Sequence, residues 1–196
     1  MKKNSIILIS IAAVLVLSFL WGMSRYNGLV SSQENVNSQW ANVESQYQRR
    51  SDLIPNLVAT VKGYASHESE TLEGVVAARA KATQVTIDPA NLTPEKLQEY
   101  QAAQGQVSSA LGKLLMITEN YPDLKANQNF LELQAQLEGT ENRISVERTR
   151  FNETAQSYNK SIRSFPTNII AGMFDFEKKP YFEAEKGSET APEVKF

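Results

Sequence analysis

Arg49-Arg50-Ser51-Asp52 is the densest run of chemically capable groups in the chain, two guanidinium forks followed by a hydroxyl and a carboxylate, with Asn56 one helical turn further on. Arginine forks match the geometry of phosphates and carboxylates. One reading is therefore an anion or ligand site, completed from far along the chain by Glu141, Asn142 and Arg143; with Asn56 and Arg148 added, the same groups form a candidate structural or partner-binding cluster. The other is structural. Arg50 falls on an apolar seam, where a buried charge must be paired, and Glu141 and Arg143 supply charges on another helix. Such a buried network fixes helix register.

The remaining candidates carry less. His67 is the only histidine, and Glu68 and Glu70 lie beside it. A zinc site needs three good protein ligands, and a second histidine at helical spacing is missing. The group reads instead as a polar helix start, where the dipole favours acidic residues. A Ser-His-acid triad would have to use that same histidine. Gly63, Gly74, Gly105, Gly112 and Gly139 are scattered singly and form no phosphate loop; Gly105 and Gly112, one heptad apart, either admit a close partner helix or simply weaken their own helix. With no cysteine, thiolate chemistry is absent. We assign no catalytic, cofactor-binding or metal-ligating residue and expect no enzyme. A net charge of -2 over 196 residues gives no basic excess for nucleic acid.

The elements that position these groups are helical. Residues Ser5 to Met23 are uncharged and mostly apolar, and as a helix they reach roughly 28 Å, close to the ~30 Å hydrocarbon core of a bilayer. Trp21 and Tyr26 suit the far interface, and Lys2 and Lys3 flank the near end. A cleaved signal peptide is the rival reading, but the apolar run is long for one and Gly22 and Ser24 make a poor cleavage site. We read residues 1–24 as a membrane anchor that contacts lipid through residues 5–23. The positive-inside rule puts its N-terminus in the cytoplasm and the remaining chain on the outer side.

From Leu29 a three-four alternation runs through Gln33, Val36, Trp40, Val43, Tyr47, Arg50, Ile54, Leu57, Val61 and Tyr64. That is one buried stripe on a long helix. It keeps phase through Pro55, so a bend is expected there, with the Ser51 carbonyl losing its usual donor. A second helix, 67–83, has Leu72, Val75, Val76 and Ala80 as its apolar face. Residues 85–93 read as a loop. Thr93-Pro94 starts a third helix, which ends near Asn120, with Thr93 as N-cap. A fourth, from about Asn127, carries Phe130, Leu137, Ile144, Phe151, Tyr158 and Ile162 and ends at Phe165-Pro166.

The fold expected is all-α: an N-terminal transmembrane helix, then an elongated up-down-up-down four-helix bundle over 25–165, then an aromatic tail over 166–196 that is partly packed on the bundle. In the tail, 169–182 should pack and the last dozen residues should be loose. Phe174, Phe176 and Phe182 should be mostly buried at the membrane end, covering a core edge in preference to serving as a dock for a partner. The first and fourth helices are then antiparallel neighbours. Their register puts Arg50 beside Glu141, Glu44 level with Arg148, and Trp40 against Phe151.

The motifs Tyr26-Asn27-Gly28-Leu29-Val30, Arg49-Arg50-Ser51-Asp52-Leu53-Ile54-Pro55-Asn56-Leu57-Val58, Tyr121-Pro122-Asp123-Leu124-Lys125-Ala126-Asn127 and Leu137-Glu138-Gly139-Thr140-Glu141-Asn142-Arg143-Ile144, followed by Phe151-Asn152, Tyr158-Asn159 and Phe165-Pro166, closely resemble the LemA family of bacterial membrane proteins. The resemblance runs from the anchor to about Phe182. It implies a bacterial source, an N-terminal anchor and a helical bundle, and brings no established enzymatic activity; members are associated with membrane proteostasis in company with membrane metalloproteases. The function expected is that of an anchored interaction or scaffold protein of the bacterial envelope, whose partner is another membrane or envelope protein. The alternatives are a ligand- or anion-binding module built on the polar cluster, and self-assembly through the flanks of the rod.

Overall fold

The computed structural model describes residues 3–184. The tail's last dozen residues, expected to be loose, lie outside the described residues. The elements are α1 (Lys3–Lys62), α2 (Ser69–Gln84), a 3-10 turn (Pro89–Asn91), α3 (Pro94–Thr118), α4 (Pro122–Lys125), α5 (Gln128–Arg163) and α6 (Thr167–Met173), with no strand among the described residues.

α1 joins the apolar segment and the bundle's first helix without a break. Its 60 residues span about 90 Å at helical rise. Residues 6–20 expose their apolar side chains, while from Leu29 the seam turns inward. One 18-residue window in this helix has a mean hydropathy of 2.6 and none of it is buried; it is long and apolar enough to cross a membrane, which suggests an anchor.

α1 and α5 form the long antiparallel pair, α2 and α3 form a shorter hairpin, and α2 lies against α1. The seams pack as their spacing requires. On α1, Val36, Trp40, Val43, Tyr47, Ile54, Leu57 and Val61 are buried, as are Leu97, Tyr100, Val107, Leu111 and Leu114 on α3 and Phe130, Leu137, Ile144, Phe151, Tyr158 and Ile162 on α5. Two details differ. Val76 and Ala80 of α2 are exposed, and Ala82 is buried in their place; α2 rolls so that Arg79 reaches α1, while Ala78 lies over the groove shared with α3. Tyr64 is exposed because α1 ends at Lys62; Ala65 fills the core instead, and Tyr64 Oη accepts a bond from Asn127 at the bundle tip. No neighbour lies within 4 Å of a Cβ built on Gly105 or Gly112, so neither serves a close helix approach.

The starts of α3 and α5 follow their cap chemistry. Thr93 Oγ1 accepts from the Lys96 N–H with Pro94 following it, and Asn127 Oδ1 accepts from the Phe130 N–H. At the other end of the chain, Asp175 takes a left-handed conformation (φ 54°) just beyond α6, and the Phe176 N–H returns to the Ala171 carbonyl. Aspartate is among the few residues that tolerate this region.

Pro55 lies inside α1, which continues on both sides of it. The carbonyl it frees is not left empty. Arg79 Nε of α2 donates to the Ser51 oxygen at 2.8 Å, so a defect in one helix becomes an attachment point for the next. Leaving a buried carbonyl without a donor costs ~1–3 kcal/mol, and Arg79→Leu should lower unfolding stability of the detergent-solubilised chain by about that amount. Pro55→Ala restores the backbone donor, so in that background Arg79→Leu should cost clearly less; equal costs in both backgrounds would show that the Arg79–Ser51 bond carries no weight.

Candidate functional site

At mid-bundle the side chain of Arg50 is 2% exposed and bonds to two other helices. Its Nη1 donates to Ser108 Oγ (2.7 Å) and to Glu141 Oε1 (2.8 Å), and its Nη2 to the backbone oxygen (3.0 Å) and Oε1 (2.6 Å) of Gln104. The guanidinium carbon lies 5.1 Å from the Tyr47 ring centroid. Arg50 thus ties α1 to α3 and α5 together, with a charged acceptor on one and neutral acceptors on the other. It also divides the core. Toward the apolar N-terminal segment lies a cluster built on Trp40, Tyr47, Tyr100 and Phe151; toward the tip lies one built on Ile54, Leu57, Leu111 and Leu137. Beside it, burial foremost, then the neighbouring Tyr47 and Glu44, push the Tyr100 phenol well above its ordinary range.

Of the sequence-derived cluster, the fold brings together only Arg50 and Glu141. Arg49, Asn56, Asn142 and Arg143 are exposed, and Asp52 accepts from Gln48 one turn earlier on its own helix. Arg148 reaches the tail, donating to the Glu183 carbonyl (3.0 Å) with its guanidinium 4.9 Å from the Phe182 ring centroid. A ligand site would need these groups to converge in an open cleft. The cleft next to Arg50, between Ser51, Arg79, Thr83 and Tyr100, has a volume of about 110 Å³, below the ~300–1,000 Å³ usual for small-molecule sites; the cleft on the other side, lined by Ser108, Glu141 and Asn142, holds about 450 Å³ but is lined by none of Arg49, Arg50, Asp52 and Arg143. His67 is exposed, Glu68 accepts from the Tyr121 hydroxyl, and no metal-competent group occurs among the described residues.

Sequence reasoning overlooked the groups that hold the tail. Asn159 Nδ2 donates to the Lys179 carbonyl (2.8 Å) while its Oδ1 accepts from the Lys179 N–H (2.9 Å). Asn152 treats Phe182 in the same way, at 2.9 and 2.8 Å. The two asparagines are one heptad apart, about 10.5 Å along α5; three extended residues cover about 10 Å, so their spacing matches Lys179 and Phe182. Lys179 is buried, and its Nζ donates to the carbonyls of Pro89 and Ala90 at 3.1 Å. Burial lowers its pKa, against the opposing pull of Glu177 and Asp88. Phe182 stacks parallel to Trp40 (5.9 Å, 8°) and edge-on to Phe151 (5.4 Å), while Trp40 meets Phe151 edge-on at 5.7 Å, as the register argument required. Phe176 packs against the core, but Phe174 is 54% exposed, contrary to expectation. The left-handed turn at Asp175 separates the two rings: both touch Tyr26, at 4.7 and 5.7 Å, and only Phe176 reaches the core.

Set beside known proteins, residues 39–196 match the LemA family, and the chain belongs to it. It is similar to protein LemA of Metamycoplasma hominis, 26% identical over 185 residues, which cover 94% of this chain and 80% of that protein. Magnetosome protein MamQ 2 of Paramagnetospirillum magneticum is 27% identical over 192 residues, covering 86% of this chain and 68% of the relative. For magnetosome protein MamQ of Magnetospirillum gryphiswaldense the identity is 24% over 202 residues, with 94% and 74% covered.

Two predictions follow from this geometry. Arg50 and Glu141 differ in exposure, 2% against 39%, so their removal is asymmetric. Glu141→Leu strands a buried charge and should cost ~3–5 kcal/mol. Arg50→Met leaves a carboxylate that can turn to water and should cost less, and the double variant should recover much of the Glu141→Leu loss; urea titration of all three checks the order. In the tail, Asn152→Ala with Asn159→Ala should raise amide exchange over residues 177–184 while leaving the centre of α5 protected, read by hydrogen exchange with mass spectrometry.

Proposed function

We propose that this protein is a non-catalytic, single-pass scaffold of the bacterial envelope, in which a membrane-spanning helix holds a rigid helical rod for recognition by another membrane or envelope protein. The carrying observation is α1, one helix from the apolar segment into the centre of the core. No hinge separates anchor from bundle, so the rod's orientation is set by the span. The polar centre supports the same reading, because both Nη atoms of Arg50 are engaged by Ser108, Glu141 and Gln104. The relatives named as magnetosome proteins take that name from an assembly and not from a reaction, which points the same way. Lys2, Lys3 and the N-terminal amine outnumber Arg25, so the N-terminus is cytoplasmic and the bundle lies on the outer side.

Cross-linking the full chain in its native membrane, followed by capture under denaturing conditions, should recover one defined membrane or envelope protein. Membrane metalloproteases, the company the family resemblance implies, are the first candidates. Recovery of the chain alone, trial after trial, would replace this reading with self-assembly. Protease added from the outer side should degrade the bundle; protection there, with digestion from the cytoplasmic side, would reverse the orientation.

A further inference from the structure

α6 is short, and its apolar side chains divide into two sets. Ile170 and Ala171 face the bundle: Ala171 is buried, and Ile170 Cδ1 comes within 3.6 Å of the Cβ position of Gly22. Ile169 and Met173, one helical turn apart, face outward, exposed by 52% and 69%, and Phe165 just before α6 and Phe174 just after it are exposed by 82% and 54%. A soluble surface rarely leaves so many large apolar side chains together. What covers them follows from what their neighbours touch. Gly22 belongs to the last turn of the uncharged segment, and Phe174 packs on Tyr26 just beyond it. The exposed stripe therefore continues the outward-facing apolar surface of Leu20 and Met23, which are 48% and 50% exposed. Around it lie exposed Arg25, close to the Trp21 ring, and exposed Lys160 and Arg163 in the last turn of α5. An aromatic ring and long basic side chains beside an apolar face suit a headgroup boundary.

We propose that Phe165, Ile169, Met173 and Phe174 form a second membrane contact, a foot that lies in the lipid boundary beside the span and fixes the rod against the bilayer at two points. The occupant of this surface is lipid. Helices of this kind bury their apolar face ~5–10 Å into the boundary between headgroups and acyl chains. The foot rests on the anchored reading proposed above, and its test separates the two.

The chain has no cysteine, so single cysteines can be placed for a nitroxide label in the full-length protein: Ile169→Cys and Met173→Cys on the foot, Leu15→Cys in mid-span and Ser157→Cys on the exposed face of α5. All four side chains are exposed, so the labels leave the core intact. Reconstituted in phosphatidylcholine–phosphatidylglycerol vesicles, the foot labels should shift toward oxygen and away from a water-soluble nickel relaxant relative to position 157, with position 15 deeper still. Foot labels as nickel-accessible as 157, with position 15 deep, overturn the foot and leave the anchor standing. Foot labels shielded from both relaxants and broadened by label–label coupling identify a second copy of the chain as the occupant and also overturn it. A nickel-accessible label at position 15 overturns the anchor and the foot together.

Discussion

A guanidinium cannot be left unpaired in a helical core, and Arg50 is the place where this protein has to meet that requirement. Taking such an ion out of water costs several kcal/mol, which only well-placed acceptors return. Here the acceptors come from two other helices: Glu141 on α5, and Ser108 and Gln104 on α3. Slipping α5 along α1 by one turn would move the carboxylate about 5.4 Å away and strand the charge. Aliphatic seam residues such as Ile54, Leu57, Leu137 and Ile144 would tolerate that slip far better, because hydrophobic burial is not directional. Arg50 therefore supplies register, which hydrophobic burial alone leaves weakly specified. Once that level is set, Trp40 meets Phe151 and the two halves of the core close on either side of it.

The membrane-proximal half of the core raises a different problem. α1 and α5 are long, but α2 and α3 have only 16 and 25 residues against the 36 of α5. The hairpin cannot cover the long pair along its whole length. The 3-10 turn and the tail fill the gap, Phe182 entering the core against Trp40 and Phe151. An extended chain brings backbone amides and carbonyls to a helical surface that has no backbone partners to offer. Asn152 and Asn159 resolve this by acting as both donor and acceptor to Phe182 and Lys179. The Lys179 ammonium in turn ties the tail to the loop after α2 through the Pro89 and Ala90 carbonyls.

Much of this could be read from periodicity. A three-four seam survives in sequence because burial repeats with the helical turn, and opposite charges at matching heights picked out the Arg50–Glu141 level. Other contacts had no such signal. Arg79 looks like a surface residue of an amphipathic helix until the carbonyl freed by Pro55 gives it a task. Val76 and Ala80 fit an apolar face, but that same arginine sets the roll of α2. Asn152 and Asn159 were visible as motif members, and their heptad spacing was available. Their role was not, because it depends on a tail that departs from helical periodicity. Phe174 was misplaced because composition cannot distinguish an aromatic ring that enters a core from one left outside it.

The unbroken α1 bears on how such a protein could act. Had a flexible linker joined the span to the bundle, a partner bound at the tip would exert no constraint on the membrane helix. In α1 the residues after the apolar segment begin the core seam within two turns, Leu29 being already buried. Any rotation or tilt of the apolar segment is then a rotation or tilt of Trp40 and Arg50, and of α5 through them. The reverse holds as well, so a partner that grips the bundle grips the span. With the polar centre occupied internally, the proposed role as a support draws on the outer faces of the rod and on the unbroken continuity of α1 with its apolar segment.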